Sequence, residues 1–65
     1  MKHNYQNLKS ILTDIANWAK NEFNDKPAIR QIINHNADLI CKEYNLSEYH
    51  CNLLHNYASK LHPKN

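Results

Sequence analysis

Apolar residues recur along this chain at spacings of three and four, the pattern of helices that bury one face. Between Asn4 and Phe23, the residues Tyr5, Leu8, Leu12, Ile15, Ala19 and Phe23 share a face. Ile11 and Trp18 widen it, while Gln6, Lys9, Ser10, Thr13, Asn17, Lys20 and Asn21 take the other side. The run Asn24-Asp25-Lys26-Pro27 stops this helix, because Pro27 disfavours helical geometry at the residue before it. A second helix, over 26–44, then begins with Asp25 or Lys26 as cap and Pro27 in the first turn, where its missing N–H costs nothing. Its stripe is Ile29, Ile32, Ile33, Ala37, Ile40 and Tyr44, flanked by Leu39 and Cys41, with Asp38 spaced to pair with Lys42. Asn45 is the natural left-handed terminator in a chain without glycine. Ser47 caps a third helix, over 47–62, with Glu48 near its positive end. Leu46, Tyr49 or His50, Leu53, Leu54, Tyr57, Ala58 and Leu61 carry its apolar face, and Pro63 ends it.

These elements predict an all-α fold, a compact three-helix bundle forming a single domain over 1–65. The short second connection suits either a bundle hairpin or the corner of a helix-turn-helix. At 65 residues the chain buries only about 60% of the surface its unfolded form exposes, so its stability is marginal. A self-partner or a target that binds the folded form would offset that deficit.

Composition narrows the function more by exclusion than by assignment. The absence of glycine removes phosphate-cradling loops and nucleophile elbows, which need positive φ. No long apolar run exists, so no membrane-spanning helix is expected. Met1-Lys2-His3-Asn4 leads into mixed polar and apolar sequence rather than an apolar core, so no signal peptide is expected. Two cysteines are fewer than a small secreted scaffold normally carries, which points to reduced thiols and a cytoplasmic setting. The net charge of +2 is weak and spread from Lys2 to Lys64. Eleven asparagines, and seven lysines to one arginine, fit an AT-rich genome and say nothing about function.

The most specific pattern spans Ala37 to Asn56 and resembles a helix-turn-helix. Cys41 is the small residue that lets two helices cross closely, Asn45 and Leu46 make the turn, and Ser47 caps the second helix. In that arrangement Ser47, Asn52 and Asn56 face bases, with Lys42 and Lys60 near phosphates; Asn52 and Asn56 suit adenine edges. Glu48 and Leu53 would also face the duplex, and no cation precedes Lys60 on that helix, a deficit where phosphate neutralisation dominates affinity. An ordinary helical hairpin fits the same spacing. The helix-turn-helix alignment puts Cys41 beside Cys51 at the crossing of the second and third helices, expected here as small buried hydrophobes with free thiols.

Five histidines raise the question of metal. Cys51 and His55 share a helix face at ligand spacing, with His62 two turns further, but a structural zinc site needs four ligands. No metal and no cofactor is therefore expected, and the histidines read as surface or boundary residues. Cys51 with His55 also has the form of a nucleophile and base, but nothing supplies an oxyanion hole or an enclosed pocket for a small-molecule substrate. The expected function is that of a small, non-enzymatic regulatory or inhibitory protein that binds a partner protein or a second copy of itself. Trp18, Ile11 and Tyr5 are its expected contact residues, because aromatic residues anchor interfaces. A helix-turn-helix DNA-binding regulator is the alternative.

Overall fold

The computed structural model describes residues 4–64; residues 1–3, where the leader argument begins, and residue 65 lie outside. Three helices follow one another, α1 (Tyr5–Glu22), α2 (Lys26–Glu43) and α3 (Glu48–Leu61), with no strand among the described residues. Each starts on a side-chain cap. The Asn4 side chain accepts from the Gln6 N–H at 2.9 Å, Asp25 from Ala28 at 3.4 Å, and Ser47 from His50 at 3.2 Å. These bonds satisfy amide groups that a helix start otherwise leaves unpaired.

α2 ends at Asn45, whose φ of 50° is the one positive value on a non-glycine residue among the described residues. The Asn45 N–H donates to the Lys42 carbonyl at 3.2 Å and the Leu46 N–H to the Cys41 carbonyl at 2.9 Å. This pair of bonds is a Schellman motif, and it turns Leu46 back onto the core.

Contacts between helices give the topology. Along α2 and α3 the pairs Cys41–Cys51, Asp38–His55 and Asn34–His62 run in opposite senses over the length of both helices. Between α1 and α3, Tyr5 meets His50 and Thr13 meets Tyr57, in the same sense. The bundle is thus up, down, up. Of the two arrangements the short second connection permits, α2 and α3 adopt the side-by-side hairpin. The extents of 37 × 18 × 15 Å fit helices sharing one long axis, since eighteen helical residues span about 27 Å.

Leu12, Ile33 and Leu54, one from each helix, are fully buried at the centre. Each contributes roughly 1.5–3 kcal/mol by leaving water. Around them lie Leu8, Ile29, Ile40 and Cys41, and the alanines Ala16, Ala19, Ala37 and Ala58. The alanines let the helices approach closely and also keep the core thin. The α1 stripe is rotated from its expected centre: Ala16 is buried, Ile15 is half-buried and Phe23 is 41% exposed. Phe23 leaves the core because its backbone is extended (φ −128°, ψ 148°) at the helix end. Tyr49 and His50, the alternatives for the apolar face of α3, are both exposed.

Candidate functional site

Two helices leave an apolar face uncovered. Ile11 (39% exposed) and Leu39 (47%) rim a groove of about 400 Å³ between α1 and α2, floored by Ile40 and Tyr44. A second groove, lined by Ala28, Ile32 and His35, continues along α2 and shares Asn36 with the first. Trp18 stands two turns from Ile11, within about 20° on the helical wheel, and is 52% exposed. Its indole meets the Phe23 ring edge-on at 5.8 Å, so the two aromatics form one exposed knob at the far end of α1. Leu39 and Phe23 belong to this face, although their spacing marked them as a flank and a core residue. Their exposure depends on where the neighbouring helix lies and on the backbone at the end of α1.

The three expected contact residues do not share this face. Ile11 and Trp18 do, whereas Tyr5 is half-buried on the α1–α3 side, packed against the core and 5.7 Å from the His50 ring. Burial pushes its phenol above the usual tyrosine value, and the neighbouring phenols of Tyr49 and Tyr57 push the same way. Close by, the Thr13 and Tyr57 hydroxyls lie 2.7 Å apart, and the Lys9 ammonium sits 4.8 Å above the Tyr57 ring.

The residues of the DNA alternative also divide. Asn52, Asn56 and Lys60 are exposed on the outer face of α3. Ser47 spends its hydroxyl on the cap, with the His50 ring nitrogen 2.9 Å away. Lys42 lines the α1–α2 groove instead of flanking α3. The outer face of α3 is left with two amides and Lys60 as its cation.

The seam between α2 and α3 corrects the reading of the cysteines. Cys41 and Cys51 are joined as a disulfide, with Cα atoms 5.5 Å apart. The hairpin makes the bond: it sets both residues inward at facing positions, within the Cα range that disulfides need. The inference from reduced thiols to a cytoplasmic setting loses its premise, since such bonds persist in oxidising compartments. Separately, no described helix is long and apolar enough to cross a membrane. Beside the sulfurs, His55 Nε2 lies 2.7 Å from the Asp38 carboxylate, so Asp38 reaches across the seam although its spacing had suggested Lys42. Further along the seam, His62 Nε2 donates to the Asn34 side-chain oxygen at 2.8 Å. Burial holds the His62 ring below the usual histidine value, and the charges of Arg30 and Lys20 add to the shift.

No protein family, curated protein or solved structure matches the chain.

Proposed function

We propose that this is a small, non-enzymatic regulatory protein that works by protein–protein docking through the α1–α2 face, with a second copy of the chain as its occupant. The observation that carries this reading is the uncovered stripe of Ile11, Trp18, Phe23 and Leu39, each more than a third exposed. Scattered apolar residues are ordinary on a surface, but contiguous ones on a chain this small mark an interface. Trp18 is its best anchor, as a large rigid side chain with a polar edge.

The area is right for a self-complementary dimer. A standard interface covers about 800 Å² per partner, roughly one sixth of the 4780 Å² this molecule exposes. Two helices of about 27 Å, lying side by side, present a face of that order. The need is right as well. Four of the eleven core residues are alanines, so the interior alone buries little, and association adds the missing apolar burial by mass action.

Sedimentation of the oxidised protein over a wide concentration range tests the proposal. Wild type should move from monomer to dimer. Trp18→Ala should weaken association about 1000-fold, the equivalent of a roughly 2 kcal/mol anchor lost from each of the two copies, with its helical content unchanged. A wild-type chain that stays monomeric at millimolar concentration would refute the reading.

A further inference from the structure

The α2–α3 seam, on the other flank of α2 from the docking face, has the donor set of a metal site. Asp38 and Cys41 stand on α2, Cys51 and His55 stand on α3, and the antiparallel hairpin sets the two pairs facing each other. One ligand atom from each of Cys41, Cys51 and His55 lies within 4.8 Å of the others. Asp38 engages His55 Nε2 at 2.7 Å, which leaves Nδ1 as the ring nitrogen with a lone pair to give. Zinc-bound imidazoles commonly have this arrangement, with a carboxylate on the far nitrogen fixing tautomer and ring orientation. The edge is open to solvent, the His55 and Asp38 side chains being 34% and 60% exposed, so an ion has a way in.

We propose that the reduced protein binds one Zn²⁺ through the Cys41 and Cys51 thiolates and the His55 imidazole. Asp38 acts as a positioning residue and water fills the fourth position. The disulfide and the metal exclude each other, so the seam is a thiol-redox switch for metal binding. Tetrahedral zinc with two thiolates needs sulfurs about 3.8 Å apart and each sulfur about 3.5 Å from the nitrogen. With the two Cα atoms at 5.5 Å, rotation of the cysteine side chains reaches that separation without moving the helices. Two soft sulfurs and an imidazole select zinc over magnesium or calcium, which prefer oxygen.

The exchange balances as follows. A dithiol reductant gives two electrons and two protons, becomes a disulfide itself, and leaves Cys41 and Cys51 as thiols. Zn²⁺ then displaces both thiol protons to solvent as two Zn–S bonds form. In reverse, a small-molecule disulfide takes two electrons from the thiolates, its sulfurs take up two protons, the Cys41–Cys51 bond closes and Zn²⁺ departs.

The test uses the full chain, reduced with a phosphine, desalted without oxygen and titrated with Co²⁺. A thiolate-to-cobalt charge-transfer band with the visible bands of a tetrahedral site should saturate at one equivalent and be bleached by Zn²⁺. The oxidised protein should show neither. His55→Ala should lower affinity at least about tenfold. Asp38→Asn should lower it about 10–100-fold while keeping the band shape, since an orienting partner is lost and no ligand is. Circular dichroism of each variant separates lost binding from lost folding, and Asp38→Asn, at an exposed position, decides if His55→Ala unfolds. The proposal is overturned if the reduced wild type gives no charge-transfer band. It is equally overturned if folded His55→Ala, or Asp38→Asn in its place, keeps wild-type affinity.

Discussion

Opening the Cys41–Cys51 bond should destabilise the fold by an amount that its place in the chain sets. The bond closes a loop with a sequence separation of 10. Tying the unfolded chain at that separation removes about 9 cal/mol/K of its entropy, or roughly 2.7 kcal/mol at 25 °C. A domain of this length has a total stability of only about 3–10 kcal/mol. Reduction therefore removes a quarter or more of it, and the melting midpoint should fall by roughly 10–20 °C. The assay is thermal and urea unfolding followed by far-UV circular dichroism, oxidised against reduced, with a chelator present and the protein concentration fixed. Chelation keeps metal from restabilising the reduced form, and fixed concentration keeps self-association constant. The double variant Cys41→Ala/Cys51→Ala should lose its response to reductant. If reduction changes the stability by less than about 0.5 kcal/mol, the range of an ordinary surface change, the loop-entropy argument fails.

Other predictions rest on single residues. Asn45→Ala should cost about 1 kcal/mol, because alanine tolerates a φ of 50° less well, whereas Asn45→Gly should cost nothing; urea midpoints check both, and equal values would refute the assigned strain. His62, facing Arg30 on α2 and Lys20 on α1, has its pKa lowered by folding. The unfolded chain therefore takes up that proton first as pH falls. The stability His62 contributes is complete above about pH 6.5 and is lost as pH drops through its lower folded value. Stability profiles from about pH 8 to about pH 5 should converge between wild type and His62→Gln over that window; parallel profiles would reject the assignment.

What the sequence disclosed and what it hid follow from the range of each interaction. Caps and stops are local, so Asn45 and Ser47 are legible where they stand, and of Asp25 and Lys26, the two residues that the sequence offers as the cap of α2, Asp25 takes the role. The three apolar stripes were legible because burial imposes helical periodicity. Between Leu12 and Ala19 the spacing admits either Ile15 or Ala16; hydropathy favours the isoleucine, yet Ala16 is the residue fully buried there. The candidate sites depend on pairings between helices, which spacing along one helix does not determine. The helix-turn-helix spacing already sets Cys41 beside Cys51, but only the register of α2 against α3 shows that the two close a disulfide and that Asp38 meets His55 instead of Lys42. The position of α2 beside α1 separates Ile11 from Tyr5, six residues and about 120° apart on the same helix.

An odd number of antiparallel helices also has a consequence for joining this chain to others. The polypeptide enters at one pole and leaves at the other, along the 37 Å axis. Units linked head to tail would string out as beads on a line. Grafting the domain into a loop of a host protein would force that loop to open by nearly the full length of the bundle.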